Sequence, residues 1–445
     1  MSETSEPGIL GLGEQAIVKS RHFSKASVFA WAICLLGAFF YCYEYLLRTM
    51  PGIMELELRQ AFQLDSIAFG NLMGFYYYAY TPMQFPVGIL IDRYGPRRLL
   101  IMASLVCALG SYLFTIESSL LISQWGRFLV GFGSAFAFVG FLKLATVWLH
   151  PKRFALISGL IMTLCMLGVT QGNMLVATLL KHQSWKDVTL LFAGLGLVIA
   201  AVMALIMPKK TDQLTAYNQE TPVQSLKAIS TELFRLAKNP IIWANGLVGC
   251  LMFLSLSGFA ESWGVSYFEQ GRGYDKTLAV HLNNYVFWGW AVGGPFMGWF
   301  SEKIAKRRSP LIYGALGTAL TFAAILYLPE NSPLWMFELM LFSLGFCSSS
   351  QIIVFPIARE LTSSALAASA LAFTNMLVMI GGVILQPGIG YLLRLRWTGQ
   401  EINHLPVYSL NDYQFAMLVI AVGACLAAVV VMFMRETYQR PEERI

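Results

Sequence analysis

Apolar runs about 20 residues long recur along this chain, and no other feature constrains its folding as much. A helix of that length covers the hydrocarbon core of a bilayer. Twelve such runs can be drawn, near residues 28–50, 67–91, 98–116, 120–148, 154–180, 187–207, 241–267, 279–301, 310–328, 333–357, 364–393 and 413–434. The alternating segments of about 10 residues that mark a transmembrane β-barrel are not seen. Composition agrees with helices in lipid. Hydrophobic residues make up 56% and charged residues 13%, where soluble domains carry about 25% charge.

The net charge of +6 would suit nucleic acid if it were clustered, but its placement follows the loops. With both termini cytoplasmic, the inward segments collect Lys19, Arg21, Lys25, Arg93, Arg97, Arg98, Lys152, Arg153, Lys209, Lys210, Lys303, Lys306, Arg307, Arg308 and more. The outward ones hold only Arg59, Lys181, Lys186, Arg272, Lys276, Arg394 and Arg396. The positive-inside rule therefore sets the orientation. The polar start, Met1 to Ser27, precedes a full-length run, so no cleavable signal is expected. Pro208 to Pro240 is the one long inward segment, with an amphipathic piece at Leu226 to Lys238. Outside, only Pro51–Ser66, Glu269–Leu278 and Arg394–Asp412 are sizeable, which leaves no room for a catalytic domain.

One polar stretch stands out between the second and third runs: Gly88, Asp92, Arg93, Gly95, Arg97 and Arg98 within Gly88–Arg98. A weaker copy, Gly298–Arg308, repeats the glycine, the acid and the arginine pair at one constant offset: 88 to 298, 92 to 302, 97 to 307 and 98 to 308. The chain is thus read as duplicated, an all-α polytopic membrane protein with 12 transmembrane helices in two pseudo-symmetric six-helix bundles. The expected division is a tail at 1–26, an N-terminal bundle at 27–207, a cytoplasmic linker at 208–240, a C-terminal bundle at 241–434 and a second tail at 435–445. Such two-half chains are common among secondary transporters.

Gly88–Arg98 resembles the signature between helices 2 and 3 of the major facilitator superfamily: a glycine, three residues, an Asp-Arg pair, then a glycine and a basic pair. Arg127, Gly131 and Gly133 in the fourth run resemble that family's second signature. Within the superfamily, Tyr43 to Arg48, Trp148 to Pro151, Asn375 and Gln386-Pro387-Gly388 look nearest to an organic-solute group that includes phagosomal-type permeases and lysosomal dipeptide carriers. The helix-5 proline of the drug/proton antiporters is missing, since the fifth run reads Gly168-Val169-Thr170-Gln171-Gly172.

The resemblance implies a cytoplasmic latch. Asp92 ends its helix where the dipole is negative, which disfavours a carboxylate, so Arg93, Arg97 and Arg98 should compensate it. The family sets such an acid against helix 11, where Thr362, Ser363 and Ser364 would cap. Glu302, with Arg307 and Arg308, would be the matching latch against the start of the fifth run at Pro151.

Charges inside apolar runs are costly, about 2.5–3.5 kcal/mol at the bilayer centre, and so tend to face cavities or partners. Glu44 and Arg48 stand four apart, acid first, on one helix face. Arg48 falls near the outer surface and could snorkel. Arg127 lies about 12 Å deep, either in a charge network or as a partner for Glu44. Lys143 lies about 10 Å from the inner end of its run and is read as facing the cavity. Glu261 is a candidate proton or amine site, and Gln171 and Asn375 are candidate solute contacts beside Asn173, Asn283, Asn284 and Gln351. Aromatics such as Tyr76, Tyr77 and Tyr80 read as packing, and the seven cysteines as buried packing.

No histidine pair has metal-ligand spacing, no phosphate loop is present, and no nucleophile–base–orienter set suggests a hydrolase. The chain is therefore not expected to be an enzyme or to hold a cofactor or metal. The expectation is a secondary transporter of a small polar organic solute, an amino acid, short peptide or carboxylate, proton-coupled or facilitative. It should work as a monomer in a lipid bilayer, with a bacterial inner membrane as the location and no nucleic-acid partner. The alternative is an efflux pump for a siderophore or drug-like compound.

Overall fold

The computed structural model describes residues 10–148, 154–209, 211, 237–362, 367–402 and 405–438. The first half of the chain forms α1 (Leu10–Ile53), α2 (Glu55–Phe62), α3 (Ser66–Met83), α4 (Pro86–Tyr94), α5 (Pro96–Phe114), α6 (Leu120–Trp148), α7 (Phe154–Leu179) and α8 (Trp185–Ile206). The second half forms α9 (Pro240–Leu254), α10 (Lys276–Lys303), α11 (Arg308–Tyr327), α12 (Leu334–Ser348), α13 (Val354–Glu360), α14 (Ala367–Arg396) and α15 (Leu410–Phe433). Among the described residues, nine helices are long and apolar enough to cross a membrane. Side chains such as Leu121, Leu197, Val198, Leu320 and Val422 are exposed on their outer faces, as suits a rod solvated by lipid rather than water.

Caps start the rods where the polarity changes. Asp65 accepts from the Ala68 N–H at 2.8 Å to open α3, and Asp275 does the same for Thr277 at 3.0 Å to open α10. Ser409 and Asp412 form a capping box on α15. Prolines interrupt the rods. The second apolar run is divided at Gln84–Phe85, and Pro86 restarts it as α4. The expected outer loop Pro51–Ser66 is instead largely α2, held by an Arg59–Glu55 pair at 2.9 Å, four residues apart. Arg394–Asp412 carries a small hairpin, β1 (Glu401–Ile402) and β2 (Leu405–Pro406), antiparallel with Ile402 opposite Leu405.

Two rods lose α geometry inside the protein. Past α9 the chain runs on as π-helical turns at Ser255–Trp263 and Tyr267–Gly271. Past α12 it tightens into a 3-10 turn at Ser349–Ile353 before α13.

The duplication shows in the backbone. Gly95 turns the chain with φ +86°, and Ala305, at the matching place in the second copy, turns it with φ +53°. Helices approach closely at matching places too. A Cβ on Gly131 would stand 2.8 Å from the Tyr76 carbonyl carbon, and one on Gly345 would stand 2.9 Å from that of Val286. Between the halves, α3 packs along α14, α7 along α10, and α1 against the first π-helical segment. These seams place α1, α3 and the π turn around one buried point. The end of the molecule bearing α2 and the hairpin is called the hairpin face here, and the end bearing Gly88–Arg98 the motif face.

Candidate functional site

Arg48 lies at that point. It is 3% exposed, not at the surface as its position along the helix suggested. Its Nη2 is 3.8 Å from Glu44 Oε2 and its Nη1 3.7 Å from Glu261 Oε1, so one guanidinium is shared by carboxylates from both halves. Its Nε donates to Tyr76 Oη at 2.9 Å. The rings of Tyr45, Tyr76 and Tyr80 stand 4.5, 5.0 and 4.7 Å from the guanidinium carbon, a cation–π cage.

Glu261 is likewise buried, at 1% exposure. Tyr45 donates to its Oε1 at 2.8 Å and Tyr77 donates to its Oε2. Tyr76 donates to Glu44 Oε2 at 3.2 Å. Ser134 adjoins Glu44 without reaching hydrogen-bond geometry, so Glu44 Oε1 has no hydrogen-bond partner among the described residues. The tyrosines at 76, 77 and 80, read from sequence as packing, thus belong to the charge cluster. Their spacing was the available signal, because positions i, i+1 and i+4 share one side of a helix.

Arg127 joins the cluster differently. Pro51 sits inside α1 and has no N–H, which leaves the carbonyl of Leu47 without its helical donor. Arg127 Nη1 fills that place at 2.9 Å, and its Nη2 reaches the Arg48 carbonyl at 3.4 Å. It braces the α1 backbone and is not an ion-pair partner of Glu44. The same logic recurs between the halves: Pro295 frees the carbonyl of Ala291, and Thr163 Oγ1 donates to it at 3.2 Å.

The expected polar contacts separate. Asn173 accepts from Thr49 at 2.9 Å and donates to Asn284 at 3.1 Å, stitching α1 and α7 to α10. Gln171 instead lies on the exposed stripe of α7 with Leu167 and Leu175, away from the centre. Asn375 donates to Gln84 Oε1 at 2.7 Å, linking α14 to the end of α3. Cys425 is exposed, not buried.

At the motif face, Lys143 pairs with Asp92 at 2.6 Å and is only partly buried. Lys143, read from sequence as facing the cavity, holds its ammonium against the Asp92 carboxylate. Gly88, Ile91, Asp92, Leu142 and Lys143 line an open groove. Arg97 reaches the end of α8, donating to the Met207 carbonyl at 2.7 Å and that of Ala204 at 2.8 Å. In the second copy, Arg308 holds the end of α15 through the Val431 and Met432 carbonyls, one position out of register with Arg97. Arg307 pairs with Glu360 at 2.8 Å, while Glu302 is exposed. Arg93 is exposed and lies over Tyr94. Thr362 donates back to the Ala358 carbonyl; Ser363, Ser364 and Pro151 fall outside the described residues.

The hairpin face is closed by contacts between the halves. Lys276 bridges Glu57 and, at 3.9 Å, Glu269. Gln270 donates to Glu55. Arg59 donates to the Pro406 carbonyl at 2.6 Å. Ser66 donates to the Gly390 carbonyl at 2.7 Å and accepts from Tyr408 at 2.8 Å. Of these residues, sequence reading had counted Arg59 and Lys276 only among the outward loop charges. Among the described residues no group of three His, Cys, Asp or Glu side chains could hold a metal ion.

The arrangement is a buried charge cluster at the seam of two halves, sealed on one face and grooved on the other. A family model described as Major Facilitator Superfamily matches residues 29–386 and 281–444. The chain is 24% identical over 325 residues to the probable sulfoacetate transporter SauU of Cupriavidus necator, covering 69% of this chain and 72% of that one. It is 22% identical over 322 residues to the lysosomal dipeptide transporter MFSD1 of Bos taurus, covering 68% and 67%. Among solved structures, a bacterial homologue of the human lysosomal transporter Spinster, inward-facing and occupied, matches with TM-score 0.71 at 13% identity over 91% of this chain and 96% of that one. The nucleoside transporter NupG matches with TM-score 0.72 at 13% identity over 91% and 99%; at such identities the likeness shows the fold. The apolar rods and the family match together make this an integral, multi-pass membrane protein of transport. The chain belongs to the major facilitator superfamily.

Proposed function

We propose that this chain is a secondary transporter that carries a small polar organic solute, an amino acid, short peptide or carboxylate, by alternating access. The observation that carries the reading is Arg48, buried at the seam and shared by Glu44 of its own half and Glu261 of the other. A charge so placed costs desolvation energy and is retained where it has work to do. The names of the relatives support an organic solute, since sulfoacetate and dipeptides both carry an anionic group.

The architecture in this reading is twelve spans in two six-helix bundles, 27–207 and 241–434, joined by the 208–240 linker. The matched turns at Gly95 and Ala305 and the matched approaches at Gly131 and Gly345 support it. In this reading the basic loops favour the cytoplasmic side for both termini and the motif face, and the membrane is a bacterial inner membrane. The closed hairpin face then makes this an inward-facing state. In this reading transport is proton-coupled, with Glu44 or Glu261 as the candidate proton site, or facilitative, and the chain acts as a monomer in lipid.

The test is counterflow in liposomes containing the purified protein and no ATP. Exchange of one or more members of a panel of amino acids, dipeptides and organic acids is the expected result. A silent panel together with strong dye extrusion would overturn it in favour of an exporter.

A further inference from the structure

The hairpin face closes on a lysine shared by both halves. Lys276, the first residue of α10, bridges Glu57 of α2 in the first half and, at 3.9 Å, Glu269 of its own half. Beside it Gln270 donates to Glu55 and accepts from Tyr413 of α15 at 3.3 Å. The second half thus meets α2 through Glu269–Lys276, a segment beyond the apolar run at 241–267.

The charges across this contact do not balance. Glu269 is faced by Glu55 and Glu57 on α2, by Asp275 and Lys276 at the start of α10 and by Tyr413 on α15. Arg59 is paired with Glu55 at 2.9 Å. Arg272 is spent on the carbonyls of Ile325, Leu326 and Leu328 at the end of α11. Asp275 accepts from the N–H groups of Thr277 and Leu278. Lys276 lies closer to Glu57 than to Glu269. Glu269, part-buried, is therefore the carboxylate with the poorest partner. Burial pushes its carboxyl up to about 7 against the pull of Lys276, and Glu57, Glu55 and Asp275 add to the rise.

We propose that Glu269 makes the hairpin face a proton-sensitive gate: a proton bound there holds the two halves together, and its loss lets them part. The proposal rests on the alternating-access reading above and adds to it a titrating group apart from Glu44 and Glu261. The sign follows from what opening removes. When the halves part, Glu55 and Glu57 leave with the first half, water reaches Glu269, and its carboxyl returns towards the ordinary value of about 4.3. Between that value and about 7, closing takes up a proton. The closed population therefore grows as pH falls through this window, by up to about tenfold per pH unit for one proton. Above it Glu269 is charged in both states, and below it neutral in both, so this group adds no pH dependence there.

The test follows opening of the full-length protein in detergent, without solute, from about pH 8 to about pH 5.5. A hydrophilic maleimide labels a cysteine placed at Phe69, buried against Trp263 of the other half. Its rate is divided by that of a cysteine at exposed Gln60 at the same pH, which cancels the titration of the thiol itself. The ratio should fall by about tenfold or more on acidification. Glu269→Gln, with a permanently neutral side chain, should hold the ratio at its low, acid-side value at every pH. Glu57→Gln removes a like charge and frees Lys276 for Glu269, so the midpoint should move to lower pH. His281→Gln, on a histidine paired with Glu338, should keep the wild-type fall. A flat ratio in the wild type, a fall that survives Glu269→Gln, an unmoved midpoint in Glu57→Gln or a fall lost in His281→Gln would overturn the gate. Because the labelling needs no solute, each of these results leaves the counterflow experiment standing, and silent counterflow removes the transporter reading without touching the labelling.

Discussion

Arg127 on α6 donates to the carbonyl of Leu47, four residues before Pro51 on α1, at 2.9 Å. The proline withholds the helical N–H, and a side chain from another helix replaces it. Arg127→Lys keeps the charge but loses the fork, so it should destabilise by about 1–3 kcal/mol, the cost of an unsatisfied buried polar group. In a Pro51→Ala background the penalty should shrink, because the restored N–H serves Leu47. Thermal unfolding of the four proteins in detergent measures the coupling; equal penalties in both backgrounds would show that the carbonyl is not what Arg127 supports.

Gly95 and Ala305 both turn the chain with positive φ at matching places in the two copies, Gly95 with ψ 147°, a region that glycine alone enters readily. A side chain is tolerated there only at a cost of about 1–2 kcal/mol. Ala305→Gly is therefore expected to stabilise the protein by about 1 kcal/mol. Gly95→Ala should destabilise it by about 1–3 kcal/mol. Melting temperatures moving in opposite directions check the pair of variants.

Lys276 joins α10 to Glu57 on α2 at the hairpin face. Both partners are partly exposed, so the pair is worth about 0.2–1 kcal/mol. Lys276→Gln should raise the population open on that face by about 1.5–5-fold. The rate at which an impermeant maleimide labels a cysteine placed at Phe69, buried against Trp263 of the other half, reports that population. An unchanged rate would mean that Arg59, Ser66 and Tyr408 alone hold the seal.

Asp92 takes the ammonium of Lys143 at 2.6 Å. Lys143→Ala should therefore change the turnover of a transported solute and leave its affinity within about twofold, since a partly exposed pair contributes about 0–1 kcal/mol. A loss of affinity with turnover unchanged would instead make Lys143 a solute ligand.

Gly88 lies inside α4, yet a Cβ there would meet nothing within 4 Å, and the same holds for Gly298 in α10. A helical glycine costs about 0.5–1 kcal/mol relative to alanine, and this state gives no reason to accept that cost. Gly88→Ala should raise the melting temperature and slow transport, because the groove beside it must close on another helix in the opposite state. Faster or unchanged transport would remove that explanation.

The class of this protein was legible in the sequence, because lipid imposes a one-dimensional rule. Each spanning rod must satisfy its own backbone and be apolar for about 20 residues, so the rods, the basic loops and the duplicated motif can all be read in order along the chain. In the structure the positive-φ turn at Gly95 recurs at Ala305, at the same offset that separates Gly88 from Gly298. The isolated charges at 44, 48, 127 and 261 were visible too, since a charge in an apolar run is rare enough to notice.

What those charges meet was decided by tertiary structure alone. Arg48 and Glu261 are far apart in sequence, and whether Arg48 snorkels to the surface or turns inward depends on the arrival of a π-helical turn from the other half. Lys143 and Gln171 look alike in sequence, as polar residues within apolar runs. One finds Asp92 and the other faces outward, because the rotation of a helix in its bundle is set by close approaches such as Gly131 on Tyr76. Local composition fixes what must be buried in hydrocarbon; the partners of the few charges that cannot be left there depend on contacts between distant segments, which no single run encodes.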